Sequence, residues 1–154
     1  MPTNEHQQQL PDFVGVKAYF DNRLTPGQRA ELRRVPDPED IDLIPAYYYL
    51  IRGFLGKGQR PDRRWRRLVY VLSYAGHAER AERIGFHLAR AGVQEQRLFQ
   101  MIRSEYPNDL VHLRRMLQQI KPIPILDWHQ FGETLYFWGR EAKRRILEDY
   151  CLAV

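Results

Sequence analysis

Five arginines, Arg60, Arg63, Arg64, Arg66 and Arg67, fall within eight residues of this chain, and a nearly uncharged apolar run follows them as far as Gly76. The stretch constrains the fold tightly. On a helical projection Trp65, Leu68, Val69 and Leu72 share one face, while Arg63, Arg66 and Arg67 lie on the other. Pro61 suits the first helical position and Gly76 the stop. Cations in the first two turns oppose the helix macrodipole, at roughly 0.3–1 kcal/mol for each exposed charge, so they need partners. Two readings stand side by side. A helix N-terminus ringed by guanidinium groups, Arg63, Arg64 and Arg67 among them, is what a phosphate would select. A solvated helix start whose arginines pair with nearby acids accounts for the same residues, although Asp62 answers only one of them.

The charge of the whole chain extends this pattern. Of 154 residues, 24 are basic and 19 acidic, a formal net charge of +5 that is unevenly spread. Residues 1–56 carry six basic and eight acidic groups (−2), and residues 57–154 carry eighteen and eleven (+7). Twenty of the basic residues are arginines and four are lysines. Arginine forks onto phosphate bidentately and stacks on bases, which lysine does not. A polyanionic partner is therefore favoured, most simply nucleic acid. The length suits one domain or two small helical lobes with a real core.

Taken in order, the chain reads as about eight helices, and the class is all-α. Residues 1–9 are polar and read as frayed. Leu10–Phe20 forms a first helix, and Thr25 caps a second that opens at Pro26 and runs to Val35. Residues 36–40 read as an acidic loop. Ile44–Ile51 starts a third helix whose tyrosines, Tyr47, Tyr48 and Tyr49, suit core and rim packing better than a base-stacking platform. Gly53, Gly56 and Gly58 mark the loop before the arginine helix. A fifth helix spans Ala78–Ala91, with Arg80, Arg83 and Arg90 mixed with Glu79 and Glu82 on a solvated face. Gln94–Glu105 follows, its Arg97 and Arg103 flanking the Leu98, Met101 and Ile102 stripe. A seventh helix from Pro107 carries the Arg114-Arg115 pair away from its apolar side. Lys121–Ile125 is an extended connector. Asp127 caps a last long helix with Trp128, Phe131, Leu135 and Trp138 inward, kinked at Gly139 before Arg140, Lys143, Arg144 and Arg145. The lobes divide at residues 1–92 and 93–154.

Several functions fall away on the residues alone. No apolar run reaches the length of a membrane span, and the first residues lack the apolar core of a signal peptide. A single cysteine, Cys151, rules out an intrachain disulfide and suits a reducing cytoplasm. The histidines show no ligand spacing, no glycine loop ends in Gly-Lys-Ser/Thr, and no metal or cofactor is expected. Asp127 with Glu133, or Glu148 with Asp149, are the nearest things to an acid–base or metal pair; Asp127 reads better as a cap and Glu148 as a surface charge. A non-enzymatic role is expected.

The residues also carry a family resemblance. Glu31-Leu32-Arg33-Arg34, then Ile44-Pro45-Ala46-Tyr47-Tyr48-Tyr49-Leu50, resembles the opening of CasB, the small subunit of the type I-E CRISPR Cascade complex. The match continues through residues 97–103 (Arg-Leu-Phe-Gln-Met-Ile-Arg) and 113–117 (Leu-Arg-Arg-Met-Leu). It closes with Leu126-Asp127-Trp128, Tyr136-Phe137-Trp138-Gly139 and Ile146-Leu147-Glu148-Asp149-Tyr150. One departure is the connection Gly76-His77-Ala78, which is shorter than the loop expected in that family. The resemblance implies an all-helical protein of two lobes, the second like a four-helix bundle. It implies a non-catalytic subunit present as a head-to-tail homodimer beside the backbone and large subunits, in contact with guide RNA and target DNA. In that family basic residues hold the displaced DNA strand and stabilise the R-loop in antiviral defence. The corresponding positions are Arg34, Arg60, Arg97, Arg103, Arg115 and Arg140; Glu141 falls where another cation would be favoured. With the neighbouring cations Arg63, Arg64, Arg67, Arg114, Lys143 and Arg144, they make up the candidate nucleic-acid-binding set. The competing expectations are a stand-alone helical RNA-binding regulator and a protein-interaction scaffold.

Overall fold

The structure, a computed structural model, describes residues 10–154. The expectation for residues 1–9 lies outside the described residues. Among the described residues there are nine α-helices: α1 (Phe13–Asn22), α2 (Pro26–Arg33), α3 (Pro45–Ile51), α4 (Arg63–Val71), α5 (Ile84–Arg90), α6 (Glu95–Arg103), α7 (Asn108–Gln118), α8 (Trp128–Tyr136) and α9 (Arg140–Leu152). Two 3-10 turns (Pro38–Leu43 and Leu72–Tyr74) and two two-residue strands, β1 (Gly76–His77) and β2 (Ile125–Leu126), complete the order. The all-α class holds, and no helix among the described residues is long and apolar enough to cross a membrane.

Side-chain caps mark four of the nine helix starts among the described residues. Thr25 and Gln28 form a reciprocal capping box at α2, with Pro26 in the first turn. The side chains of Asp12, Asp62 and Asp127 accept amide hydrogen bonds at the starts of α1, α4 and α8. In α4 the cap is therefore Asp62, and both Arg60 and Pro61 lie outside the helix that their positions suggested. The expected apolar stripe is intact: Trp65, Leu68, Val69 and Leu72 are all buried.

Three segments differ from the sequence expectation, each through a contact distant in the chain. Residues 38–43 form a 3-10 turn rather than an open acidic loop, packed against α4. Residues 78–83 are not helical, because Gly76 and His77 are taken up in parallel pairing with Ile125 and Leu126. The Gly76 amide donates to the Pro124 carbonyl (2.9 Å) and the Ala78 amide to the Leu126 carbonyl (3.1 Å), so α5 opens only at Ile84. The kink expected at Gly139 is a full break between α8 and α9. Trp138 turns inward there and donates from its indole to the Asp109 carboxylate at 2.9 Å.

The buried apolar residues form one cluster that runs from Phe13 to Ile146, with Trp128 fully enclosed. α8 packs on both α1 and α4, α5 packs along α9, and α6 packs on α7 and α9. Lys17 is buried within this core, where its ammonium donates to Asp21 (3.0 Å) and to the Leu72 carbonyl (2.8 Å). Burial pushes its pKa down from 10.5, with Asp21 working against the shift.

Two glycines permit the closest helix contacts. A Cβ on Gly85 of α5 would lie 2.6 Å from both the Ile146 carbonyl oxygen and the Asp149 Cβ of α9. A Cβ on Gly132 of α8 would lie 2.5 Å from the Phe13 Cβ of α1. In an exposed helix, Gly→Ala stabilises by up to about 1 kcal/mol. Here the sign should reverse: Gly85→Ala is expected to destabilise by roughly 1–3 kcal/mol through overpacking. Chemical denaturation measures this, and an unchanged or raised midpoint would show that α5 and α9 are not in such close contact.

Candidate nucleic-acid interface

The structure sorts the candidate cations into those held by protein groups and those left open to solvent. The first group is centred on α4. Arg63 reaches Glu39 at 3.3 Å and lies over the Tyr106 ring, 4.7 Å from its centroid. Arg64 forks onto its own cap, Asp62, with contacts of 2.9–3.2 Å, and covers the Tyr136 ring. Arg66 reaches Glu39 at 3.3 Å and Asp42 at 3.8 Å. Arg67 donates to the carbonyls of Leu135 (2.9 Å) and Tyr136, where α8 ends and its last carbonyls lack helical partners. A cation there also meets the negative end of the α8 dipole. Burial pushes the Arg67 pKa below its ordinary value. Arg63, Arg64 and Arg66 are ion-paired, as the second reading of this stretch expects, Arg67 is held by the carbonyls that end α8, and Arg60 makes neither kind of contact among the described residues.

Three further candidates are held in the same way. Arg114 does not point away from the apolar side as the sequence suggested. It is 9% exposed, with its guanidinium 3.9 Å from the Tyr70 ring centroid and 5.3 Å from that of Tyr74. Lys143 binds the buried Asp109 at 2.8 Å and the Ser104 carbonyl at 2.9 Å, completing a cluster with the Trp138 indole. Arg144 is paired with Glu141 and Glu148 on the surface of α9.

The second group is exposed and makes no ion pair among the described residues: Arg34, Arg60, Arg97, Arg103, Arg115 and Arg140. Three of these gather on the packed pair α6 and α7. Arg97 and Arg115 line one groove with Gln96, Gln100 and His112, and Arg103 continues the face along α6, beside the Phe99 ring at 5.3 Å. The groove is floored by Met116 and rimmed by amide and imidazole groups, with no carboxylate in its lining. Two of the remaining three cations lie nearby. The Tyr74 hydroxyl donates to the Arg33 carbonyl (3.2 Å) while its ring faces Arg114, which sets the end of α2, and Arg34, beside α7. The Lys143–Ser104 bond joins the start of α9, where Arg140 lies, to the end of α6, where Arg103 lies. Arg60 is in the loop before α4.

Three of the four acidic residues considered for catalysis are engaged elsewhere, and Glu133 is exposed. Asp149 is buried and forks with Arg83 at 2.7 Å, Glu148 pairs with Arg144, and Asp127 caps α8. One cluster escaped the sequence reading altogether. His77, Glu79, Asp127 and His129, drawn from two segments about fifty residues apart, place ligand-type atoms within 4.8 Å of one another. No local spacing announces it, because the β1–β2 pairing assembles it.

The described residues form an all-helical protein whose α6–α7 face carries arginines with no carboxylate in the groove lining. A model of the CRISPR-associated protein Cse2 family matches residues 28–150, and the chain belongs to that family. It is similar to the CRISPR system Cascade subunit CasB of Escherichia coli (strain K12), 33% identical over 156 residues that cover 93% of this chain and 96% of that protein. Among solved structures it resembles a chain in the crystal structure of E. coli Cascade bound to a PAM-containing dsDNA target. The TM-score is 0.84 with 31% identity, over 94% of this chain and 99% of that chain.

The two groups of arginines should respond oppositely to mutation. Arg67→Ala removes two hydrogen bonds to helix-end carbonyls, and is expected to cost on the order of 1–3 kcal/mol of stability. Arg97→Ala should stay within about 0.5 kcal/mol of wild type. Urea denaturation of the two variants tests the division, and equal losses would refute it. A pH series tests the acidic turn. Burial alone would raise the Glu39 pKa, but the Tyr106 hydroxyl, Arg66 and Arg63 together outweigh it, and the net shift is downward from 4.5. A depressed carboxyl stabilises the fold above its unfolded pKa and loses that contribution as pH falls through the folded one. The stability gap between wild type and Glu39→Gln should therefore be full at neutral pH and shrink as pH drops below about 4.5. A gap constant with pH would show that the carboxylate charge is not what Arg63 and Arg66 use.

Proposed function

We propose that this protein is the non-catalytic small subunit of a type I-E CRISPR surveillance complex. Its α6–α7 face, through Arg97, Arg103 and Arg115, holds the displaced DNA strand and stabilises the open R-loop in antiviral defence in the cytoplasm. The observation that carries this reading is the separation of the cations. Arg63, Arg64, Arg67, Lys143 and Arg144 are engaged by carboxylates or helix-end carbonyls, whereas Arg97, Arg103 and Arg115 on α6 and α7 face solvent without an acid partner among the described residues. Membership of the Cse2 family supports it, as does the likeness to a chain solved within a Cascade complex on a dsDNA target.

The physics requires no reading of base identity. Exchanging duplex DNA for a guide RNA–DNA heteroduplex is nearly balanced, so modest contacts to a displaced strand tip the equilibrium. Arginine suits the task, since its planar fork engages phosphate bidentately and also stacks on bases. Arg34 and Arg140 extend the path at either side of the α6–α7 groove, and Arg60 adds a further phosphate contact. A second copy arranged head to tail continues the track along the complex. Exposed apolar residues such as Leu43, Ile123, Ile125 and Phe137 supply contacts to the backbone and large subunits.

The test is target-DNA binding by the assembled complex across a salt series. Arg97→Ala with Arg115→Ala should weaken R-loop formation and flatten the log–log salt slope by about 1.4, at roughly 0.7 per phosphate on a single strand. Lysine at both positions should restore part of the affinity. Arg144→Ala, which breaks an exposed intrahelical pair, serves as the control and should leave the slope unchanged. Equal affinities and slopes for the wild type and the double variant would remove this face from DNA binding.

A further inference from the structure

Beside the start of α8, the cluster of His77, Glu79, Asp127 and His129 has no part in the nucleic-acid face. Its geometry is specific. Asp127 is fixed twice, its Oδ1 accepting from the His129 amide (3.0 Å) and its Oδ2 from the Arg80 amide (3.1 Å). Arg80 reaches that position with φ +61°, a left-handed conformation uncommon outside glycine, asparagine and aspartate. The two imidazoles converge on a single carboxylate oxygen: Glu79 Oε1 lies 3.0 Å from His129 Nε2 and 3.4 Å from His77 Nε2.

The histidines are not equivalent. His77 Nδ1 accepts the hydrogen bond of the Trp128 amide at 3.0 Å, so in the neutral ring its proton resides on Nε2 and points at Glu79. With that nitrogen protonated, His77 has no free lone pair to offer a metal. His129 has no such restriction. Among the described residues only its Nε2 contacts a protein group, so its Nδ1 can carry the proton when Nε2 is used as a ligand.

We propose that His129 Nε2, Glu79 and Asp127 form a site for a divalent transition-metal ion such as Zn2+, with His77 as a positioning residue that orients the Glu79 carboxylate. One imidazole and two carboxylates are an appropriate donor set for such an ion. Their ligand atoms lie within 4.8 Å of one another, and a tetrahedral ion with bonds near 2.0–2.2 Å needs them roughly 3.3–3.6 Å apart. Rotation of the exposed Glu79 and His129 side chains supplies that contraction. Asp127 still has a lone pair on each oxygen after capping, and the fourth position faces solvent. Ligating carboxylates are themselves hydrogen-bonded in such sites, and the His77 N–H supplies that contact to Glu79. The ion would fasten residues 77–80 to the start of α8.

The test uses the whole chain, purified free of metal and titrated with Zn2+ and Co2+. The expected result is saturable binding of one ion per chain, a raised melting temperature with Zn2+, and the visible ligand-field band of a low-symmetry Co2+ site. His129→Ala and Glu79→Gln should each weaken binding at least tenfold, His77→Gln should weaken it about tenfold without abolishing it, and Cys151→Ser should change nothing. Melting of each metal-free variant checks that folding is retained. Glu79 is exposed and lies outside the helices, so Glu79→Gln keeps the test valid even if a histidine variant unfolds. Equal Zn2+ affinity in wild type and Glu79→Gln, or no saturable binding at 100-fold molar excess, would overturn the assignment.

Discussion

The fold depends on how α4 satisfies two opposed demands at once. Its apolar stripe, Trp65, Leu68 and Val69, has to be covered, and its cations, placed at the positive end of the helix, have to be neutralised. The chain meets both with the same neighbours. The 3-10 turn at Pro38–Leu43 brings Glu39 and Asp42 against Arg63 and Arg66, and α8 offers its carbonyl end to Arg67 while packing beside the stripe. A charge that would destabilise an isolated helix thereby fixes where two other elements must lie. Ion pairs this exposed add little net energy in themselves. Their value here is in orientation, with burial of the stripe supplying the driving force.

Much of this was legible in the sequence. The apolar stripes of α4, α6, α7 and α8 recur with the helical period, so their inward residues were identifiable from spacing, as Leu98, Met101, Leu113 and Phe131 illustrate. Caps at Thr25 and Asp127 are local chemistry and were equally plain. What escaped depends on partners far along the chain. Glu39 lies twenty-four positions from Arg63, and Leu135 sixty-eight from Arg67. No window of sequence contains both members of either pair, so a paired arginine and a free one look alike until the chain is folded. The same holds for β1–β2, which unwound the expected start of α5 and gathered His77 and His129.

This limit bears directly on the candidate interface. The twelve candidate cations were alike as a matter of composition, and the fold divides them by what stands opposite each one. Arg114 and Arg115 are adjacent in sequence, yet one lies buried between Tyr70 and Tyr74 and the other lines the α6–α7 groove. A helix turns each successive residue by about 100°, so a doublet of arginines straddling the edge of an apolar stripe sends one inward and one outward. Arginine tolerates the inward position because its flat guanidinium stacks on aromatic rings.

The parallel pairing of β1 with β2 places the entrance and exit of residues 78–124 side by side, as the neck of a closed loop. The helices of that loop do not complete their own packing within it: α5 and α6 rest against α9. During synthesis α9 leaves the ribosome after every surface that it covers. α1 and α4 wait for α8, which packs on both, and Ile84, Gly85 and Leu88 wait longer, for α9. Connectivity thus leaves α6, which carries Arg97 and Arg103, without its α9 neighbour until α9 has been made.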